Sequence, residues 1–141
     1  MQLVLAAALI AIFLGLALLH LHWAFGGRLA IEGAVPTEAG RPLFSPGPAA
    51  CVTVAFALLA AAAVAGNRAG LLVPDAPDWI SRLGIWIVAL VFAARAVGDF
   101  RYVGLFKRVR GSLFAKRDSR IYVPLCGLIS LLATGLAVSA R

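Results

Sequence analysis

Four long apolar runs, separated by short polar or proline- and glycine-rich stretches, dominate the chain. They cover residues 3–25, 49–66, 79–98 and 121–140. A helix rises about 1.5 Å per residue, so about 20 residues cross a hydrocarbon core about 30 Å thick. The pattern therefore predicts an all-α, polytopic membrane protein, with four transmembrane helices in a single membrane domain, 1–141.

The first run differs from a secretory signal peptide. Met1 and Gln2 carry no positive charge, and the apolar stretch that follows is longer than a signal peptide requires. We expect it to remain attached and to span the membrane. Small residues in the second and fourth runs predict close helix packing, because lipid gives apolar side chains no reason to associate. In the fourth run these are Gly127, Ser130, Thr134 and Ala137.

The composition excludes a soluble domain. Hydrophobic residues make up 62% of the chain and charged residues 13%, against about 45–50% and about 25% in soluble domains. A small soluble fold does not bury that much apolar surface, and disordered chains require low hydrophobicity.

Basic residues predict the orientation. The chain has 13 Lys and Arg against six Asp and Glu, for a net charge of +7. Loops 26–48 and 99–120 together hold nine basic residues, whereas the opposite side holds three. The positive-inside rule then places both loops in the cytoplasm and both termini outside. Because the charge lies between spans, we expect no nucleic-acid partner. We expect contacts with anionic lipid headgroups at loop 99–120, and a possible homo-oligomer or larger membrane complex.

Loop 99–120 also shows a helical pattern. Tyr102, Leu105, Phe106 and Val109 fall at helical spacing, with basic residues on the other face. This predicts a helix over residues 100–110 that lies on the membrane surface. The predicted lipid-surface residues are Lys107, Arg108, Arg110, Lys116, Arg117 and Arg120. A sharper alternative is specific recognition of a phosphorylated lipid or of a partner's acidic tail.

Polar residues at three span ends share one membrane depth. An unpaired ionisable residue there is costly, and Arg95 and Asp99, four residues apart, are spaced to pair on one helix face. The candidate ligand-binding residues are His20, Trp23, Arg95, Asp99, Arg101, Tyr102 and Tyr122. The alternative is a structural cluster in which the Arg–Asp pair fixes the helix register.

The sequence contains little that favours catalysis. No serine has an acid–base partner at motif spacing, and Cys51 and Cys126 lie in apolar runs. His20 and His22, two residues apart on a helix, diverge and do not converge on a metal. We therefore predict no catalytic residue, metal site or cofactor. In loop 26–48, prolines forbid a long helix, and Leu43 and Phe44 either dip into the interface or pack on the polar cluster as a lid.

Several segments resemble one known family. They are His20-Leu21-His22-Trp23-Ala24-Phe25-Gly26-Gly27, Val35-Pro36, Pro42-Leu43-Phe44, the stretch Gly98-Asp99-Phe100-Arg101-Tyr102-Val103-Gly104-Leu105-Phe106-Lys107, and Tyr122-Val123-Pro124-Leu125-Cys126. Together they resemble a family of small bacterial membrane proteins catalogued as domain of unknown function 3995. The resemblance implies a four-helix membrane protein and supplies no activity. With the high Ala, Arg and Gly usage, it leads us to expect a bacterial cytoplasmic (inner) membrane.

Three functions remain open. The first is a lipid- or small-hydrophobe-binding or accessory protein that uses the polar cluster. The second is a membrane enzyme acting on a lipid or isoprenoid, with His20 and Asp99 as acid and base. The third is a small-solute transporter, for which one four-helix chain would have to oligomerise.

Overall fold

Helices account for most of the chain. The computed structural model describes residues 1–38, 40–72 and 77–139. Within this part the long helices are α1 (Gln2–Ala24), α2 (Pro48–Arg68), α3 (Asp78–Val97) and α5 (Val123–Ser139). A short helix, α4 (Leu113–Arg117), and a π-helical turn (Asp118–Tyr122) precede α5. They form one continuous helical segment with it, Leu113–Ser139.

The described residues include four helices long and apolar enough to cross a membrane, and the predicted fold class is confirmed. The first three begin and end within two residues of the prediction. The fourth begins eight residues earlier, at Leu113. The reason is the Ser112 hydroxyl, which accepts a hydrogen bond from the Ala115 N–H at 3.0 Å and caps the helix. The predicted end at residue 140 lies outside the described residues.

The four long helices form a ring around one core. α1 packs mainly on α2 and α3 mainly on α5, and contacts of α1 with α5 and of α2 with α3 close the ring. The core is apolar, and its largest fully buried apolar side chains are Phe13, Leu9, Ile85, Ile129 and Leu136. Many large apolar side chains point outward, among them Leu18, Leu90 and Leu131. An apolar exterior is the surface that a multi-pass membrane protein presents to lipid.

Small residues allow close approach between helices, as the sequence predicted. A Cβ atom added to Gly84 of α3 would lie 2.9 Å from Val64 of α2. Ser130 of α5 donates a hydrogen bond to the Ala89 carbonyl of α3 at 2.9 Å. Interhelical hydrogen bonds of this kind help hold membrane helices together where burial adds little.

The loop between α1 and α2 is short of regular structure, in line with its prolines. It contains a 3-10 turn (Ile31–Gly33) and a two-stranded antiparallel hairpin, β1 (Thr37–Glu38) and β2 (Arg41–Pro42). In the hairpin, Thr37 faces Pro42 and Glu38 faces Arg41.

The predicted surface helix over residues 100–110 is wrong. The segment forms a series of turns that folds back on the end of α3. The Leu105 N–H donates to the Ala96 carbonyl at 2.9 Å, and the Asp99 N–H donates to the Val103 carbonyl at 3.2 Å. Gly98 and Gly104 have φ of +89° and +91°, which interrupts a right-handed helix at both points.

We predict that Gly104→Ala destabilises the protein by on the order of 1–3 kcal/mol. A Cβ atom there would lie 2.3 Å from the Val97 carbonyl oxygen, in addition to the cost of the positive φ. Gly111→Ala is the matched control, because a Cβ atom at Gly111 meets nothing within 4 Å. The measurement is reversible unfolding in mixed micelles. Equal stability of the two variants would contradict the turn geometry.

Candidate functional site

A cavity of about 580 Å³ lies at one end of the bundle, between the last turns of α1 and α3 and the first turns of α5. We call it the main cavity. Most of its wall is apolar, formed by Leu16, Leu19, Ala30, Ala34, Phe92, Ile121, Leu125, Cys126 and Ile129. Its polar wall consists of His20, Trp23, Arg95, Arg117 and Tyr122. Four of the seven predicted ligand-binding residues therefore share this cavity.

His20 and Trp23 are held in place by backbone carbonyls. The His20 Nδ1 lies 2.8 Å from the Leu16 carbonyl oxygen. Since a carbonyl only accepts, Nδ1 carries the hydrogen, and Nε2 is an acceptor when the ring is neutral. The Trp23 Nε1–H donates to the Leu29 carbonyl at 2.7 Å, and the two rings meet edge to face with centroids 4.9 Å apart.

The start of the fourth membrane helix fastens loop 26–47 over the cavity. The Tyr122 hydroxyl donates to the Gly33 carbonyl at 3.0 Å, and the Arg117 Nη1 donates to the Ala30 carbonyl at 3.2 Å. A Cβ atom at Gly33 would lie 2.3 Å from the Arg117 Cδ, so the arginine packs directly on this glycine. Arg117 was predicted to lie on the lipid surface, whereas the structure places it on the cavity wall.

Arg95 does not pair with Asp99, and that prediction is wrong. Its Nη2 donates to the Asp118 Oδ1 at 2.9 Å, across 23 residues of sequence. The side chain is 34% exposed. The Nη1 atom is nevertheless buried, and it has no hydrogen-bond partner among the described residues. This unpartnered nitrogen belongs to a cavity-wall residue, although the atom itself lies below the surface of the wall.

Asp118 is the residue that the sequence analysis missed. Its side chain is fully buried. The Oδ2 atom accepts from the Lys107 ammonium at 2.9 Å and from the Gly104 N–H at 2.8 Å. The sequence does contain one indication of its importance, since Asp118 is the only acidic residue in the basic stretch 107–120.

Lys107 was predicted to contact lipid, and the structure places it in the interior. Its side chain is only 3% exposed, and the ammonium also donates to the Gly104 carbonyl at 2.9 Å. The long alkyl stem and the buried carboxylate make this burial possible. Arg108, Arg110, Lys116 and Arg120 of the same predicted set are exposed.

Asp99 stabilises the loop and does not line the main cavity. Its Oδ1 accepts from the N–H groups of Arg101, Tyr102 and Val103 at 2.9, 2.7 and 2.9 Å. Desolvation by burial raises the pKa of this carboxyl, but the three backbone hydrogen bonds outweigh it and hold the pKa below its ordinary value.

Arg101 and Tyr102 bind the hairpin. The Tyr102 hydroxyl donates to the Glu38 Oε2 at 2.8 Å, and this bond to a carboxylate raises the pKa of Tyr102. The Arg101 Nη2 lies 3.4 Å from the Glu38 Oε1 in an exposed ion pair. A separate cavity of about 430 Å³ is lined by Glu38, Asp99 and Arg101.

The predicted polar cluster is therefore two sites. His20, Trp23, Arg95 and Tyr122 line the main cavity, while Asp99 and Arg101 line another and Tyr102 binds the hairpin. His20 and Asp99, the acid and base of the enzyme alternative, line different cavities. Among the described residues, no three His, Cys, Asp or Glu side chains are grouped to hold a metal ion.

A side cavity of about 260 Å³ adjoins the main cavity at His20 and Trp23, which line both. Phe44 and Pro46 of loop 26–47 contribute to its wall. Phe44 thus lines a cavity together with His20 and Trp23, while its side chain is 55% exposed. Leu43 does not line either of these cavities.

We predict that Asp118→Asn destabilises the protein by about 3–5 kcal/mol, because it leaves the buried Lys107 charge uncompensated. Glu38→Gln is the matched control. It removes a carboxylate from an exposed pair and should cost about 1 kcal/mol or less. The measurement is the free energy of unfolding in mixed micelles at neutral pH. A similar decrease in the free energy of unfolding for both variants would show that the buried carboxylate contributes no more to stability than the exposed one.

Comparison with known proteins identifies a family for the chain. No curated protein and no solved structure matches the chain. The model of the family described as Protein of unknown function (DUF3995) matches residues 13–133. The matched region runs from the middle of α1 into α5 and includes every polar residue of the main cavity wall. The resemblance seen in the sequence is confirmed, and the chain belongs to the DUF3995 family of proteins of unknown function.

Proposed function

We propose that the protein binds a membrane-derived amphipathic molecule in the main cavity and acts as a lipid- or small-hydrophobe-binding or accessory subunit. The ligand has an apolar tail and a head group that accepts hydrogen bonds. The observation that carries this proposal is that Arg95, on the wall of a mostly apolar cavity, has a buried Nη1 without a partner among the described residues.

The size and lining of the cavity suit an apolar tail. Its volume of about 580 Å³ falls within the roughly 300–1,000 Å³ of small-molecule sites. Ile121 is 53% exposed at the cavity wall, on the apolar exterior that faces lipid. A ligand can therefore enter sideways from the bilayer without crossing the polar loops.

The polar wall suits an acceptor head group. A buried donor without a partner costs about 1–3 kcal/mol, and more when it is charged. A phosphate, carboxylate or carbonyl oxygen that reaches the Arg95 Nη1 removes this cost and gains a charge-assisted hydrogen bond. His20, with Nε2 as acceptor, adds a partner for a hydroxyl group of the ligand.

The orientation proposal follows from the charge count. Nine basic residues on the cavity side against three on the other favour a cytoplasmic position for loops 26–48 and 99–120. The main cavity then opens at the cytoplasmic leaflet of a bacterial inner membrane, with both termini outside.

We predict that a tail-brominated lysophosphatidylglycerol quenches Trp23 fluorescence saturably, because Trp23 lines the cavity. A Trp79→Phe/Trp86→Phe background leaves Trp23 as the single tryptophan. Arg95→Lys retains the charge opposite Asp118 but lacks the second guanidinium nitrogen, Nη1, and should weaken binding about tenfold. Ile121→Phe should also weaken binding, because the larger side chain reduces the volume of the cavity.

Leu131→Phe is the control for the second variant. Leu131 lies on the same helix, is 73% exposed and does not line the cavity. It should bind the probe as the background does. Quenching that does not saturate, or equal weakening by Leu131→Phe and Ile121→Phe, rejects the proposed site.

We predict that a reporter inserted at Gly111 gives a cytoplasmic signal and that the same reporter at the C-terminus gives an external one. The reason is the asymmetry of basic residues between the two sides. The measurement uses paired reporters, one active only inside and one only outside. A cytoplasmic signal from the C-terminal fusion would reverse the orientation.

A further inference from the structure

A basic pocket lies on another face of the helical segment that borders the main cavity. Its volume is about 300 Å³. Its polar lining consists of Lys107, Arg110, Lys116, Ser119 and Arg120. Loop 98–112 contributes the first two of these residues, while α4 and the π-helical turn contribute the others. The pocket and the main cavity share no lining residue.

The positive charge of the pocket is largely uncompensated. Asp118, the nearest acidic residue in sequence, is buried and already binds Arg95, Lys107 and the Gly104 N–H. In the part of the chain that the structure describes, the side chains of Lys116 and Arg120 form no ion pair or hydrogen bond with other residues. They are four residues apart on one helical segment, where like charges repel.

The shape of the pocket suits a compact oxyanion. Arg110 is fixed by a hydrogen bond from its Nε to the Lys107 carbonyl at 3.2 Å, which leaves both terminal nitrogens for a ligand. With Lys116, Arg120 and the Ser119 hydroxyl it supplies several donors from two chain segments. A tetrahedral phosphate accepts from such a set in all directions, and charge-assisted bonds to it are the strong ones.

The two chain segments that form the pocket also carry exposed apolar side chains. Leu105, which lines the pocket, and Phe106 are each 59% exposed, and Leu113 is 49% exposed. Basic residues interleaved with exposed apolar ones are typical of a surface that lies in the headgroup region of a bilayer.

We propose that this basic pocket is a phosphate-binding site, for the phosphate of an anionic lipid headgroup or for free inorganic phosphate. It is separate from the proposed function, because it involves a different set of residues and a polar ligand. The sequence predicted a broad lipid-contacting surface, whereas this proposal places binding in a single pocket at Arg110, Lys116, Ser119 and Arg120.

The experiment measures the melting temperature of the full chain in phosphatidylcholine nanodiscs. One arm adds sodium phosphate against sodium chloride at the same ionic strength, and the other replaces part of the lipid with phosphatidylglycerol. We expect a saturable rise in at least one arm. Lys116→Gln/Arg120→Gln should shift the half-saturation point at least about tenfold, since each basic residue near an anionic surface contributes substantially.

Arg28→Gln/Arg41→Gln is the matched control, because it removes the same charge from exposed residues that line none of the four cavities. This control variant should change the ligand concentration at half-saturation by no more than about twofold. A response to phosphatidylglycerol alone supports a lipid headgroup, and a response to both arms supports phosphate from either source. A wild type without a saturable response overturns the proposal. Equal losses in the pocket and control variants overturn it as well, since they indicate charge attraction without a site.

Discussion

The cavity end of the bundle depends on one buried carboxylate, that of Asp118. Each of its oxygens is bound: Oδ1 by the Arg95 guanidinium, and Oδ2 by the Lys107 ammonium and the Gly104 N–H. These groups come from the end of α3, from loop 98–112 and from the start of the fourth membrane helix. An ion taken out of water is tolerated only when its lone pairs are satisfied in this way. The carboxylate therefore fixes how three segments meet.

This single carboxylate divides the basic residues of the chain into two groups. Lys107 is drawn into the interior, and Arg95 is held at the cavity wall with one nitrogen committed and the other free. Arg117 lies on the main cavity wall, and the remaining basic residues of the stretch, Arg108, Arg110, Lys116 and Arg120, are exposed. The Asp118 carboxylate thus shapes both proposed sites. It holds Arg95 at the main cavity, and it leaves the other basic residues of the basic pocket without an acidic partner in the described part of the chain.

The sequence predicted the helices well and the polar contacts poorly, for physical reasons. A membrane helix is defined by the length of an apolar run, so α1, α2 and α3 end within two residues of their predicted limits. The partner of Arg95 depends on tertiary packing. Asp99, four residues away, satisfies helical spacing, but Gly98 leaves the helix at φ +89° and turns Asp99 to the loop backbone instead. Asp118, 23 residues away, is then the acid within reach.

A buried ion cluster is not the most stable way to fill this space. Apolar side chains of similar volume often stabilise a fold as well or better than a buried ion pair. Such a replacement would close the interior, but it would remove the Arg95 guanidinium from the main cavity wall and would not anchor loop 98–112 through Gly104 and Lys107. The ion cluster around Asp118 is therefore less stabilising than apolar packing, but it holds Arg95 and loop 98–112 in positions that apolar side chains would not fix. Strained or costly interactions of this kind occur where a protein holds groups in place for a ligand. The proposed ligand site therefore lies at the end of the bundle that contains Asp118.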